Sequence, residues 1–368
     1  MSRKYSQELL DKIVERQEVI NIKGANVLVK KLPDSDEIGA MDPRLYNDMK
    51  KQLTMMRFMP KSMMKMDDSP KSVEKLRKMF GEVKSVPIVE KKIEIETKHV
   101  EANDGYRIPV RIYKSETMNE NAPILYFIHG GGFFGGSPDV VEELVKLIVE
   151  KTDVLAFSVD YRLAPENPYP TGHEDCYSVL KWIYNNADVL GADKKNIFVA
   201  GDSAGGNLTQ YCTTRDLEAN SGIVKGQLLL YPTVNMANVE DEFYKWSKDE
   251  YEMAPKHRKG LEMMLDMFSG LTGGLESILG TDDTINEYLT PYIRDAKDLP
   301  PTFITVGEHD FLKVECLAYA SKLTKAGVDT TTVLYKGFGH AYGDNIGVYP
   351  QSEDCAIEMG NFILKYSN

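Results

Sequence analysis

The run Gly201-Asp202-Ser203-Ala204-Gly205-Gly206 constrains this chain more than any other stretch, because of what flanks it. Asn196-Ile197-Phe198-Val199-Ala200 reads as a buried strand, and Asn207-Leu208-Thr209-Gln210-Tyr211-Cys212 continues as a helix start without a breaker. Gly201, Gly205 and Gly206 carry no Cβ, so the backbone can turn sharply from strand to helix and hold Ser203 strained and exposed at the helix N-terminus. A serine held there is a candidate nucleophile. The pattern G-x-S-x-G is short enough to arise by chance, so the reading needs companions.

Two companions are present. His129-Gly130-Gly131-Gly132 follows the strand-like Ile124-Leu125-Tyr126-Phe127-Ile128, and glycines there let backbone N–H groups face a cleft where a negative oxygen develops. In the C-terminal third, Asp310 follows the strand-like Thr302 to Val306, and His340 follows the strand-like Thr331 to Tyr335. Both lie just past strand C-terminal ends, where open α/β sheets place their sites. An activated serine needs a base and a group that orients the base, and the chain order Ser203, Asp310, His340 is that of α/β-hydrolases. Glu308 is the rival to Asp310.

These segments together resemble the hormone-sensitive-lipase-like α/β-hydrolases, also called bacterial lipolytic family IV. The matching residues are His129 to Gly132, Asp160-Tyr161-Arg162-Leu163-Ala164-Pro165-Glu166, Gly201 to Gly206, Leu299-Pro300-Pro301, Asp310, and Gly339-His340. They span roughly residues 95 to 365. The resemblance implies a carboxylic-ester hydrolase that works through an acyl-enzyme, with Ser203, His340 and Asp310 as the triad and Gly131, Gly132 and Ala204 as oxyanion donors. It prefers Asp310 over Glu308 and implies no cofactor and no metal. Short to medium acyl esters are the substrates it implies, with acetylated sugars or secondary metabolites equally open, and family analogy alone suggests a homodimer. Asn167, Phe311 and Val314 depart from the usual pattern without removing a triad or oxyanion group. Glu315 still matches and is expected to brace the loop carrying Asp310. Asp160, Arg162 and Glu166 are expected to form a charged network under the oxyanion turn, and His129 to shape that turn without moving a proton.

An amidase or formamidase would use the same residues. A small-molecule receptor on the same fold, such as the gibberellin receptors that resemble this family, lacks a complete triad. This chain has all three members, which favours hydrolysis.

Composition narrows the partners. A net charge of −12 argues against nucleic acid or an anionic membrane surface. The N-terminus has no apolar signal region and no run is long enough to span a bilayer, so a cytoplasmic location is expected. Cys176, Cys212, Cys316 and Cys355 fit no metal-ligand spacing and read as reduced core residues. His99, His173, His257 and His309 read as surface or packing residues.

From about Ile93 strand-like and helix-like segments alternate, which predicts an α/β fold with an eight-stranded, mostly parallel sheet and helices on both faces. Asp104-Gly105 predicts a tight turn and an antiparallel start. The catalytic core is assigned to residues 91–232 and 291–368. Residues 1–90 are read as a helical cap segment, with Met49, Leu53, Met56 and Met59 or Phe58 at helical spacing. Residues 233–290 are read as a cap insertion carrying Leu261, Met264, Leu265, Met267 and Phe268. The resemblance implies that both cover the site and line an acyl or alcohol pocket.

Overall fold

The structure is a computed structural model that describes residues 3–57, 69–272 and 274–367. The strands are β1 (Gln17–Ile22), β2 (Ala25–Lys30), β3 (Ile93–Glu101), β4 (Arg107–Ser115), β5 (Ala122–Ile128), β6 (Leu155–Val159), β7 (Ala192–Asp202), β8 (Val224–Leu230), β9 (Thr302–Gly307) and β10 (Thr330–Tyr335). They form one sheet in the order β1-β2-β10-β9-β8-β7-β5-β6-β4-β3. The block from β2 to β6 in that order is parallel throughout, and β3, β4 and β1 add antiparallel edges.

The parallel centre follows from strand composition. Every second side chain of β5 belongs to a different apolar layer: Leu125 and Phe127 pack into one, Ile124, Tyr126 and Ile128 into the other. Strand β7 divides in the same way, with Phe198 and Ala200 against Ile197 and Val199. A strand apolar on both faces must be covered on both faces. Helix α4 (Pro138–Thr152) covers the first through Val141, Leu144, Val145 and Ile148, at spacings of three and four. On the second lie α5 (Thr171–Asn186) and α6 (Ala204–Glu218), through Val179, Leu180, Ile183, Leu208 and Cys212. All four cysteines are buried free thiols.

All eight expected strands are present, and Gly105 makes the turn between β3 and β4 at φ +84°. The sheet nevertheless has ten strands, and this corrects the reading of residues 1–90 as helical. Residues 17–30 form a hairpin whose turn, Lys23-Gly24, has φ of +46° and +93°, as a two-residue hairpin loop requires. In β2, Ala25, Val27 and Val29 are buried and alternate with more exposed residues. That period of two is only six residues long, and the partner that stabilises it is β10, some 300 positions away. At its end the buried Lys30 ammonium meets Asp354 and Glu358.

The rest of the N-terminal segment is helical: α1 (Gln7–Glu15), α2 (Pro43–Arg57) and α3 (Pro70–Phe80). Met49 of the methionine stripe is buried, whereas Leu53, Met56, Phe58 and Met59 lie outside the described side chains. The 233–290 segment carries α7 (Arg258–Thr272) and α8 (Leu275–Leu279). Leu261 and Leu265 of α7 are buried in the core, while Met264 and Phe268 are partly exposed. The N-terminal segment and this insertion touch. Ala254 N–H donates to Gly39 O at 2.9 Å, and Met41 N–H donates to His257 Nδ1 at 3.0 Å. Helices α9 (Lys313–Lys325) and α10 (Pro350–Tyr366) complete the core.

Candidate active site

The site is assembled at the C-terminal ends of β5, β7, β9 and β10. Ser203 sits between β7 and α6 with φ +54° and ψ −119°, a conformation that a non-glycine residue holds only where the surroundings impose it. They do so closely. Ser203 N–H donates to Leu230 O at 2.9 Å, and Ser203 O accepts from Gly206 N–H at 3.0 Å and Thr233 N–H at 3.1 Å. A Cβ on Gly205 would lie 2.0 Å from Ile128 O, and one on Gly201 would lie 2.2 Å from Gly205 O. The glycines therefore allow α6 to start in contact with the end of β5, which carries the oxyanion turn.

Ser203 Oγ lies 2.8 Å from His340 Nε2, and His340 Nδ1 lies 2.9 Å and 3.0 Å from the two oxygens of Asp310. The acid and base loops are joined at their roots, where His309 N–H donates to Phe338 O at 2.7 Å. Asp310 is buried and also accepts Leu312 N–H at 2.8 Å, which fixes its carboxylate. The rival Glu308 points elsewhere: it accepts from Lys336 Nζ at 2.7 Å and from Gly337 N–H at 2.9 Å. The His340 ring is flanked by Tyr231 at 4.9 Å and Phe311 at 4.7 Å between centroids. Phe311 in turn stacks on Phe268 of α7 at 5.1 Å. The insertion thus reaches the imidazole through one aromatic pair.

Glu315 behaves differently from expectation. Its carboxylate accepts Val234 N–H at 2.8 Å and Asn235 N–H at 3.3 Å, so it ties α9 to the first residues of the insertion and not to the Asp310 loop. Burial pushes its pKa up to about 7 against the pull of those two N–H groups.

In the oxyanion turn, Gly131, Gly132 and Phe133 have φ of +112°, +61° and +68°. Gly130 N–H is occupied, donating to Asp202 Oδ1 at 2.8 Å. Among the described residues no group accepts the N–H of Gly131, Gly132 or Ala204, and Ala204 opens α6, where the helix itself leaves the N–H unpaired. Asp202, beside the serine, locks the turn; burial, with Asp344 nearby, lifts its pKa well above the carboxylate range. His129 Nδ1–H donates to Gly130 O at 2.8 Å, and its ring stacks on Tyr161 at 4.4 Å. Burial pushes its pKa down to about 4, so it is neutral at pH 7.

The charged residues of the Asp160 to Glu166 run do not form one network. Arg162 binds Asp175 through Nε at 2.9 Å and Nη2 at 2.7 Å, and Asp104 through Nη1 at 2.6 Å. Glu166 instead pairs with Arg77 of α3, and Asp160 forms no ion pair among the described residues. No motif marked Arg77 in the sequence. Its only signal was the helix start Ser69-Pro70, a serine cap followed by proline. Among the described residues no cluster of histidine, cysteine or carboxylate side chains could hold a metal ion, and no helix is long and apolar enough to cross a membrane.

The fold and this arrangement define a hydrolase class, and comparison with known proteins agrees. A family profile described as alpha/beta hydrolase fold matches residues 125–344, and the chain belongs to that family, in its hormone-sensitive-lipase-like branch. It is 32% identical over 285 residues to Carboxylesterase NlhH of Mycobacterium tuberculosis, covering 77% of this chain and 86% of that one. An arylesterase of Saccharolobus solfataricus is 30% identical over 241 residues, 65% of this chain and 74% of that one. Among solved structures, a thermophilic carboxylesterase cloned from a metagenomic library superimposes with a TM-score of 0.67 at 28% identity, covering 79% of this chain and 96% of that one.

Proposed function

We propose that this protein is a serine carboxylesterase acting on short to medium acyl esters. The observation that carries the reading is the continuous hydrogen-bonded line from Asp310 through His340 to Ser203 Oγ, beside three N–H groups with no protein acceptor among the described residues. Ser203 Oγ attacks the ester carbonyl as His340 Nε2 takes its proton, and Asp310 holds the imidazole in the useful tautomer and stabilises its cationic form. The oxyanion is received by the N–H groups of Gly131, Gly132 and Ala204, each contributing on the order of 3 kcal/mol to lowering the barrier. The N-terminus of α6 adds its positive dipole end. Protonated His340 then donates to the leaving alcohol, and water hydrolyses the acyl-enzyme by the same route.

The names of the relatives, carboxylesterase and arylesterase, support an ester over an amide. Alcohols also leave more readily than amines. The test is hydrolysis of p-nitrophenyl esters from acetyl to dodecanoyl by the parent and by Ser203→Ala. A loss of about a thousandfold or more in the variant is expected, with activity highest at the short end of the series. Undetectable ester hydrolysis by the parent would refute the reading and turn attention to anilides or to ligand binding.

A further inference from the structure

We propose that Arg77, on helix α3 of the N-terminal segment, is a positioning residue for the oxyanion turn, which makes this segment part of the working site and not only its cover. The inference rests on the serine-esterase reading and adds a residue to it.

The turn needs support from outside itself. Three consecutive residues, Gly131 to Phe133, hold positive φ, and Gly136 does so again at +77°. Among the described residues only two backbone–backbone hydrogen bonds form within the turn, from Phe134 N–H and Gly135 N–H to Gly131 O at 3.2 and 2.8 Å. A backbone this far from regular structure keeps its shape only where its surroundings over-determine it. Asp202 holds Gly130 N–H, Tyr161 OH donates to His129 O at 3.0 Å, and Ala164 N–H donates to Phe133 O at 3.0 Å. Arg77 adds ties to the carbonyls of Phe134 and of Ala164 itself.

The guanidinium of Arg77 divides its donors among three groups. Nε donates to Phe134 O at 2.6 Å, Nη2 to Ala164 O at 2.6 Å, and Nη1 and Nη2 both reach the Glu166 carboxylate, Nη1 at 2.8 Å. One planar fork therefore joins the turn to the strand-end segment behind it, and an ammonium cannot copy that geometry. The helix is also packed on the turn. Phe80 meets Phe134 at 5.6 Å between centroids, and a Cβ on Gly135 would touch Phe80 and the Arg77 backbone at 3.3–3.4 Å. Glu166 is the weaker partner, since its side chain is 60% exposed and water screens the pair. The two backbone carbonyls carry the positioning.

A donor aimed at the oxyanion acts in the transition state and hardly at all on the bound ester. If Arg77 aims the Gly131 and Gly132 N–H groups, its loss should lower kcat and kcat/KM together and leave KM nearly unchanged. A tether that merely stabilises the fold would lower Tm and the active fraction without that pattern.

The experiment uses the full chain with Arg77→Met, Arg77→Lys, Glu166→Gln and Ser203→Ala. Substrate is p-nitrophenyl acetate, and the transition-state mimic is an alkyl trifluoromethyl ketone. Arg77→Met is expected to lose about 30-fold in kcat, short of the 10²–10³ that outright removal of a donor costs. KM should stay within about twofold, inhibition by the ketone should weaken by the factor lost in kcat, and free guanidinium at sub-denaturing concentration should restore part of the rate. Glu166→Gln should lose no more than about threefold. Should Arg77→Met fail to fold, Arg77→Lys decides on the same criteria, since it keeps the charge and the stem. A kcat within threefold of the parent in the folded variant, or ketone affinity unchanged while kcat falls, overturns the proposal. Ser203→Ala keeps the two readings apart. If it stays active, the serine mechanism fails; if it is inactive and the Arg77 variants are not, only the positioning role fails.

Discussion

Gly205→Ala should disable the site with little change in composition, and the size of the effect can be worked from the geometry. The added Cβ would lie 2.0 Å from Ile128 O and 2.8 Å from the carbonyl carbon and oxygen of His129. An ordinary carbon–oxygen contact is about 3.3 Å, so roughly 1.3 Å must be found. All three neighbours are backbone atoms at the end of β5 and the start of the oxyanion turn, and β5 is held by parallel strands on both sides. The strain therefore falls on the elbow and the turn together. A misplacement of about 1 Å costs on the order of a hundredfold in rate, and overpacking costs about 1–3 kcal/mol of stability. The line from Ser203 Oγ to His340 Nε2, 2.8 Å long, cannot absorb such a shift. Gly222→Ala is the control: it has φ +64° but nothing within 4 Å, so it should lose about 1–2 kcal/mol of stability and keep its kcat. The assay is kcat on p-nitrophenyl acetate beside a urea unfolding curve. A Gly205→Ala enzyme within threefold of the parent would refute the claim that the close approach of α6 to β5 sets the site.

Two other outcomes follow from the same geometry. Asp310→Asn should lower kcat by about 10⁴-fold at pH 7, whereas Glu308→Gln should act mainly on stability because its carboxylate serves Lys336 and Gly337; equal losses in rate would reverse the assignment. His173 is buried with its pKa pushed down to about 4. Between pH 6.5 and 4 the unfolded chain binds a proton that the native imidazole refuses, so this residue takes away up to about 3 kcal/mol of stability as pH falls through that window. His173→Gln should therefore show a shallower fall of the urea midpoint from pH 7 to pH 5, and an unchanged slope would contradict it.

The α/β core and its candidate triad were legible because their signals are local. A strand that ends in glycines, a serine between strand and helix, and an acid and a histidine past two later strands are each written within ten residues. Six of the eight expected strands, β5 to β10, follow from largely buried apolar runs, while β3 and β4 at the edge are marked by the Asp104-Gly105 turn between them. Choosing Asp310 over Glu308 was different. Both stand within three residues of the same strand end, and what separates them is the presence of Lys336 and Gly337 from the neighbouring loop. Likewise Glu315 was visible as a residue but not its partners, which belong to a segment about 80 positions earlier.

The sequence by itself determined the hydrolase core, the order of its candidate triad residues and the glycines its turns require, since each depends on backbone freedom and short-range pattern. Only the tertiary structure decided that residues 17–30 are strands and that Arg77 belongs to the oxyanion turn. The hairpin's six-residue alternation gains its burial from β10, and a single arginine beside the buried Val73 and Leu76 of α3 gains its meaning from two carbonyls that lie 57 and 87 positions away. Contacts of that range leave no periodicity in the chain, because a partner that is distant in sequence can be supplied by any compatible surface the fold happens to bring near.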